Sequence, residues 1–97
     1  MRPTVYIMAN QKRGTLYVGV TTNLIQRVWQ HKEGFIAGFT QKYDVKKLVY
    51  YEQHESIESA ILREKQIKKW RRQWKENLIH RVNPNWDDLW ETILGSP

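Results

Sequence analysis

One carboxylate stands where the sequence predicts a core residue. A helix that begins after Ser56 would place four apolar side chains on one stripe at 100° per residue: Ile57, Ala60, Ile61 and Ile67. Glu64 falls inside that stripe rather than opposite it. Burying a bare carboxylate is costly, so Glu64 must be paired, protonated or bound to a cation. Three interpretations stay open from these residues: a structural ion pair with a nearby Arg or Lys, an end of the stripe that opens to solvent, and a metal ligand or catalytic carboxylate in a cleft.

A second pair of reactive groups lies on an earlier helix. Arg27 and His31 are four positions apart and therefore share one helix face. Taken singly, Arg27 can be a solvated side chain, and His31 can be a histidine near the negative end of the helix dipole. Together, a guanidinium and an imidazole suit an oxyanion, because one supplies bidentate hydrogen bonds and the other exchanges a proton.

Two tyrosines lie on segments with strand character. Tyr6 and Tyr17 are each surrounded by β-prone residues, and strand tyrosines most often pack in or beside a core. Gly19 follows two positions after Tyr17, and a glycine inside a strand often marks the close approach of another group. The histidines at 31, 54 and 80 lack the ligand spacing of a zinc site.

The elements that must position these residues follow from the apolar pattern. The sequence predicts an antiparallel hairpin over 5–9 and 15–20, a helix over 24–33 capped from within 21–23, a loop over 35–44, a strand over 46–53, a helix over 57–70 capped by Ser56, a helix over 73–82, and a short helix from about 87 to 93. The order ββαβαα indicates the α/β or α+β class, with one domain over 1–97 and helices on a small, mainly antiparallel sheet.

The same pattern predicts which helix faces are buried. The first helix should bury Leu24, Ile25, Val28 and Trp29. The helix over 73–82 should bury Trp74, Leu78, Ile79 and Val82. These faces would cover the sheet and form the core.

Composition limits the class of protein. The 97 residues suffice for one core, and 40% of them are apolar. The absence of cysteine excludes disulfides, thiolate zinc sites and thiol nucleophiles. No apolar run has the length of a membrane span or of a signal peptide, so we expect no membrane partner and a cytoplasmic location.

Positive charge is concentrated in one stretch. Sixteen Lys and Arg oppose ten Asp and Glu, and residues 1–82 carry +9 against −3 in the rest. Seven of the bases lie within thirteen positions: Arg63, Lys65, Lys68, Lys69, Arg71, Arg72 and Lys75. This basic segment is either a solvated helix face or a surface that binds phosphates. The net charge of +6 favours a polyanionic partner.

Taken in chain order, these residues resemble the motif set of the GIY-YIG nuclease superfamily. The triplets 5–7 (Val-Tyr-Ile) and 17–19 (Tyr-Val-Gly), separated by nine positions, resemble its paired tyrosine motifs. Four further residues continue its order: Arg27, His31, Glu64 and Asn83. Segments 62–70 and 83–89 are especially similar to its small stand-alone bacterial members. The resemblance covers about residues 4–90 and implies a three-stranded antiparallel sheet flanked by helices.

The resemblance also implies a role for each residue. Glu64 would be the ligand of one divalent cation, Mg²⁺ or Mn²⁺. Tyr6 and Tyr17 would frame the nucleophilic water, with one of them orienting it or acting as general base. Arg27 would stabilise the negative charge of the transition state, and His31 would assist by hydrogen bonding or proton transfer. The basic segment would follow the nucleic-acid backbone, which makes affinity salt-dependent.

The sequence departs from the family pattern in three respects. The first motif lacks its glycine, so only Tyr6 aligns there. Val20 and Thr21 stand where many relatives carry a basic residue, which leaves a lysine-assisted base without a candidate. The final asparagine, which would hold the phosphate or neighbouring side chains, is assigned to Asn83, with Asn77 as the competitor.

The sequence thus predicts a divalent-metal-dependent endonuclease that hydrolyses DNA with weak sequence preference, in repair or recombination. A protein partner could supply specificity. The alternative is a nucleic-acid-binding module of the same fold with weak or lost catalysis. A third interpretation treats the basic segment as a protein-interaction face. The combined presence of the tyrosines, Arg27, His31 and Glu64 favours catalysis, because binding alone needs no such set.

Overall fold

A three-stranded antiparallel sheet forms the centre of the fold. In the computed structural model, which describes residues 2–36 and 38–95, β1 (Thr4–Ala9) pairs with both β2 (Leu16–Thr21) and β3 (Lys47–Gln53). The order β2-β1-β3 makes β2 and β3 the edge strands. All six residues of β1 are buried, because this strand has helices against both of its faces.

Within residues 2–36 and 38–95, five helices accompany the sheet. They are α1 (Leu24–Lys32), α2 (Phe39–Lys42), α3 (Ile57–Lys69), α4 (Arg72–Val82) and α5 (Trp90–Ile93). Within the described ranges, none of them has both the length and the apolar character that a bilayer span requires. The fold is therefore α+β with a three-stranded antiparallel sheet, which confirms the predicted class.

Alternate residues of β1 serve two separate cores, as the two-residue period of a strand requires. Val5 and Ile7 pack in one core with the buried side chains of α3 and α4, namely Ala60, Ile67, Leu78 and Ile79. Tyr6 and Met8 point to the other face and pack with Leu24 and Val28 of α1, where α5 adds partly buried side chains. The sheet thus separates α3 and α4 from α1 and α5.

The predicted helix starts are confirmed at two caps. Asn23 accepts a hydrogen bond from the amide of Gln26 at 3.2 Å and begins α1. Ser56 accepts one from the amide of Ser59 at 3.1 Å and begins α3. Such caps satisfy amides that have no partner within the helix. They fix where the chain enters the two helices that carry Arg27, His31 and Glu64.

Several local predictions were wrong. The predicted loop over 35–44 contains the short helix α2, and the last helix begins at Trp90 because the Asp88 carboxylate accepts the Trp90 amide at 3.1 Å. Five side chains predicted to be buried are exposed: Ile25, Trp29, Ile61, Trp74 and Val82. The cores are filled by the narrower stripes that meet the sheet, so the flanks of these helices remain outside.

Candidate active site

Five of the predicted site residues meet at the edge of the sheet formed by β2. Tyr17 lies on β2, and Tyr6 lies on β1 directly opposite Gly19 in the antiparallel register. A Cβ atom at Gly19 would lie 2.5 Å from both Cζ and the hydroxyl oxygen of Tyr6. The Tyr6 ring therefore crosses the space that any other residue at position 19 would fill. This explains the glycine inside the strand and carries the Tyr6 hydroxyl toward the edge.

Three rings pack together at the base of the site. The Tyr6 hydroxyl oxygen lies 3.1 Å from Nε2 of His31, within hydrogen-bond distance. The His31 ring lies edge-on to Tyr6 at 5.8 Å between centroids and 5.3 Å from the ring of Tyr17. The two tyrosine rings are 6.3 Å apart. The cluster joins β1, β2 and the last turn of α1.

Burial and nearby charge set the protonation states of this cluster. Burial, together with a smaller contribution from the positive charge of Arg27, lowers the pKa of His31 to about 4. Burial raises the pKa of Tyr6 above its ordinary value, with Tyr17 and Glu64 adding to the rise and Arg27 opposing it. At neutral pH both groups are therefore uncharged. The Nδ1 atom of His31 is buried and has no hydrogen-bond partner among the described residues.

Arg27 and Glu64 bring opposite charges to this edge from two different helices. Arg27 on α1 acts electrostatically on both Tyr6 and His31, and Glu64 on α3 acts on Tyr6 from the other side of the sheet. The Arg27 side chain makes no hydrogen bond or ion pair with any residue in the described ranges. Glu64 is paired with Lys68, one helical turn away, at 3.0 Å. The carboxylate that broke the apolar stripe thus faces the edge of the sheet.

Exposure divides the five residues into two groups. Tyr6 is 2% exposed and His31 is 3% exposed, so neither can make much contact with a large substrate. Tyr17, Arg27 and Glu64 are partly exposed. We call these five residues the β2-edge site, with Tyr6 and His31 as its buried pair. The partly exposed side chains of Tyr17, Arg27 and Glu64 can reach a ligand, while the buried pair packs behind them.

The donor set at Glu64 fits a hard divalent cation. Mg²⁺ is usually bound through one or two carboxylates, with water and substrate phosphates completing its coordination. The Glu64 side chain is 13% exposed, and its partner Lys68 is 51% exposed, so the ammonium can turn away into solvent. Within residues 2–36 and 38–95 no cluster of three or more His, Cys, Asp or Glu is arranged to hold a metal. A cation here would therefore depend on Glu64 and on oxygens from outside the protein.

Asn83 does not share this location. Its side-chain nitrogen donates to the carbonyl oxygens of Val49 on β3 and of Asp87, at 3.0 and 2.9 Å. Its side-chain oxygen accepts from the Asp87 amide at 3.1 Å. These bonds occupy the amide of a side chain that is buried beside the opposite edge strand, so its contacts are those of a structural residue. Asn77 is exposed and accepts a hydrogen bond from Gln73, so the catalytic role of either asparagine stays a prediction.

The basic segment does not form one uniform face. Three of its members are paired with carboxylates: Arg63 with Glu52, Lys68 with Glu64, and Arg72 with Glu76. Lys75 is partly buried, and burial lowers its pKa, with Arg72 adding to the shift. Lys65, Lys69 and Arg71 are exposed. The phosphate-binding role of the seven residues stays a prediction, and the exposed ones are best placed for it.

Sequence reasoning missed a polar network at the other edge strand. Glu52 on β3 accepts hydrogen bonds from Tyr50 at 2.6 Å and Arg63 at 3.0 Å, and it lies 2.6 Å from Nε2 of His54. The other ring nitrogen of His54 lies 2.6 Å from the Ser59 hydroxyl. We call these five residues the β3-edge network. The alternation of polar side chains at 50, 52 and 54 along one strand face was the signal that could have revealed it.

Comparison with known proteins identifies the family. The sequence model of the GIY-YIG catalytic domain matches residues 2–77. A UPF0213 protein of Syntrophus aciditrophicus is 38% identical over 81 residues, which cover 82% of this chain and 91% of that protein. One from Natronomonas pharaonis is 40% identical over 65 residues, covering 67% of this chain and 76% of the relative.

A solved structure agrees with this assignment. The solution NMR structure of a UPF0213 protein from Bacillus halodurans superposes with a TM-score of 0.57 at 28% identity, covering 94% of this chain and 96% of the other. That similarity extends over the sheet and both sets of flanking helices. By its sequence match and its fold, this chain belongs to the GIY-YIG family, the catalytic domain of a nuclease superfamily.

Proposed function

We propose that the β2-edge site hydrolyses phosphodiester bonds in DNA with the help of one divalent cation. The observation that supports this most strongly is the meeting of an accessible tyrosine, an unpaired guanidinium and a nearly buried carboxylate around a neutral Tyr6–His31 pair. Structural ion pairs satisfy their charges within the protein, whereas Arg27 has no anionic partner among the described residues. A phosphate group would supply that partner.

Each accessible residue has one task in this proposal. The Tyr17 hydroxyl hydrogen-bonds the attacking water and orients it toward phosphorus. Arg27 binds the non-bridging oxygens, where its charge acts more strongly as negative charge accumulates in the transition state. Glu64 would hold Mg²⁺ or Mn²⁺. When bound, such a cation neutralises charge on the phosphate and on the leaving oxygen.

Tyr6 and His31 act as positioning residues. The hydrogen bond between them fixes the His31 ring, and that ring packs against Tyr17. Because the pKa of His31 is lowered to about 4, the pair adds no positive charge at neutral pH. Arg27 therefore remains the main source of positive charge for the phosphate in this part of the site. The pair controls where Tyr17 points rather than touching the substrate itself.

Plasmid cleavage tests the proposal. We expect wild-type protein with Mg²⁺ or Mn²⁺ to convert supercoiled plasmid to nicked or linear forms, and EDTA to stop the reaction. Glu64→Gln keeps the size of the side chain and removes its charge, so it should abolish measurable cleavage. If wild type and Glu64→Gln cleave equally, the activity comes from a contaminant and the proposal fails.

The same preparations separate catalysis from binding alone. A nucleic-acid-binding module without catalysis would bind DNA in a salt-sensitive way in both forms and cleave with neither. If the protein acts in DNA repair, we expect it to cleave damaged or branched substrates faster than intact duplex. That preference can be measured with labelled flap, junction and blunt duplexes of equal length.

A further inference from the structure

A cavity lies at the corner between α3 and α4, away from the β2-edge site. It has a volume of about 430 Å³ and is lined by Arg63, Trp70, Trp74, Asn77, Leu78 and Arg81. We call it the Trp cavity. Only Trp70 and Arg71 separate the end of α3 from the start of α4, so the sharp corner itself supplies one wall. The volume falls in the range of small-ligand sites, roughly 300–1,000 Å³.

One wall of the Trp cavity is held in place before any ligand arrives. The Arg63 guanidinium donates through Nε to Glu52 at 3.0 Å and stacks over the Trp70 ring at 5.1 Å from its centroid. Glu52 is itself fixed by Tyr50 and His54. Burial raises the pKa of the Glu52 carboxyl, but the hydrogen bonds from its three partners outweigh burial and keep the pKa below its ordinary value. A pre-ordered wall lowers the entropy lost on binding.

The opposite wall presents an open aromatic surface. Trp74 is 52% exposed, while Trp86 in the same protein is fully buried. The Trp74 ring meets Trp70 edge-on at 6.1 Å, and Arg71 lies 6.0 Å from its centroid. A half-exposed indole beside a cavity leaves apolar area in water that a flat ligand could cover.

The polar groups of the cavity indicate what the flat ligand carries. None of its six lining residues is acidic, and the Arg81 side chain makes no hydrogen bond or ion pair with the described residues. The Asn77 side-chain oxygen accepts from Gln73 at 2.9 Å, which leaves its NH₂ group available to donate to a ligand. A ligand for this site combines an aromatic face, hydrogen-bond acceptors and a negative charge. A nucleotide has all three.

We propose that the Trp cavity binds an unpaired nucleotide of a nucleic-acid strand, with the base stacked on Trp74 and its phosphate bound by Arg81. A base within a duplex is stacked on its neighbours and cannot offer its face, so the site selects single-stranded or frayed positions. Because the strand is taken to be the substrate of the β2-edge site, the inference rests on the proposed function. It names the class of that substrate: DNA with unpaired nucleotides.

The two sites are close enough to share one strand. Trp70 follows Glu64 by six positions, a rise of about 9 Å along α3. Exposed basic residues, among them Lys69 and Arg71, lie on either side of Trp70. An unpaired nucleotide anchored in the Trp cavity would hold the neighbouring backbone near Glu64.

Binding of matched oligonucleotides tests the proposal without any cleavage. Fluorescence anisotropy with EDTA present would give the affinity for a blunt duplex and for the same duplex with a single-stranded tail. Wild type should bind the tailed form more tightly. Trp74→Ala should reduce this preference about tenfold, the loss of one stacked base. Trp74→Leu, which keeps apolar bulk, should lose it too, while Trp29→Ala removes another exposed tryptophan and should keep it.

Two further arms identify the chemical group that is bound. Replacing the tail nucleotides by abasic sites should lower wild-type affinity and leave Trp74→Ala unaffected. Arg81→Gln should reduce the salt dependence of tail binding by about one phosphate contact. A mononucleotide titrated into the protein should shift the indole NH signals of Trp70 and Trp74 by NMR. If oligonucleotides bind and the mononucleotide does not, the polymer backbone is part of the ligand.

The outcomes distinguish this inference from the proposed function. If Trp74→Ala and Trp74→Leu keep the full preference for the tailed duplex, the Trp cavity does not bind unpaired nucleotides and the inference is wrong, even where cleavage depends on Glu64. If the preference depends on Trp74 and no cleavage occurs with any cation, the inference stands and the proposed nuclease function fails.

Discussion

Each edge of the sheet has a glutamate and an arginine beside it, but the two edges differ in how many partners these charged side chains have within the protein. At β3, Glu52 has three hydrogen-bonding neighbours, and Arg63 is both paired and stacked. At β2, the carboxylate of Glu64 has one exposed lysine beside it, and Arg27 has no such partner among the described residues.

This difference separates structure from function. Paired charges stabilise a fold, because each buried polar group makes a hydrogen bond within the protein that replaces the one it made to water. Partly exposed charges without internal partners add little to stability and remain available to a ligand from outside the protein. In the proposed function, the β3-edge network is therefore the structural edge, and the β2-edge site is the one that acts on the substrate. Four predictions test this contrast, beginning with the largest effect.

Removing the unpaired guanidinium should reduce the rate and leave the fold intact. We expect Arg27→Ala to lower the cleavage rate about 10²-fold or more, because one preorganised charge in the transition state is lost. The free energy of unfolding should change little, since Arg27 has no described partner to leave unsatisfied. Arg2→Ala is the control: it removes an exposed arginine paired with Glu55 and should keep wild-type activity.

The buried histidine should make stability depend on pH. Because the folded-state pKa of His31 is about 4 and its ordinary value is 6.5, the unfolded chain binds the proton more readily. Its contribution is thus fully present above pH 6.5 and is lost as the pH falls toward 4. His31→Gln should flatten this part of the profile, measured by urea unfolding at pH 7 and pH 4.5. An equal loss of stability in variant and wild type would show that His31 is not buried as a neutral group.

Removing a charge at the β3-edge network should lower stability more than removing one at the β2-edge site. Glu52→Gln removes the charge that accepts from Tyr50 and Arg63, so we expect a loss of about 1–3 kcal/mol in the free energy of unfolding. Glu64→Gln, whose ion pair is with an exposed lysine, should lose less than about 1 kcal/mol. Chemical denaturation of both variants gives the comparison directly. If Glu64→Gln loses more free energy of unfolding than Glu52→Gln, the β3-edge network is not the more important of the two for stability.

The smallest expected effect concerns Lys68, which neutralises Glu64 at 3.0 Å. Exposed ion pairs are worth about 0.2–1 kcal/mol, so Lys68→Ala should raise the affinity for Mn²⁺ by no more than about fivefold. Mn²⁺-induced broadening of NMR signals measures that affinity without a substrate. Weaker Mn²⁺ binding in Lys68→Ala would mean that the lysine supports the cation site instead of competing for it.

Much of the fold and the identity of the β2-edge residues could be predicted from the sequence. Apolar alternation and the caps at Asn23 and Ser56 give the elements, and Glu64 stands out because it interrupts an apolar stripe. The unequal burial of the tyrosines could not be predicted, because it depends on the register that places Gly19 beneath the Tyr6 ring.

Two other features also depend on tertiary contacts. Asn83 follows the motif order, yet its side-chain NH₂ group donates to the main-chain carbonyl oxygens of Val49 and Asp87. The order of motifs along the sequence gives no sign of these two contacts. Trp74 has the spacing of a core residue, but it lies at a cavity between two helices and stays half exposed. Helical periodicity fixes the direction of a side chain and does not fix whether a neighbour covers it.

The paired cleavage rates of Glu64→Gln and Glu52→Gln test the central claim most directly. Both changes neutralise one glutamate, at opposite edges of the same sheet, and both can be measured on one labelled DNA substrate at saturating Mg²⁺. We expect Glu64→Gln to lose at least about 10³-fold in rate, while folded Glu52→Gln stays within a few fold of wild type. Comparable rates for the two variants would contradict the assignment of catalysis to the β2-edge site.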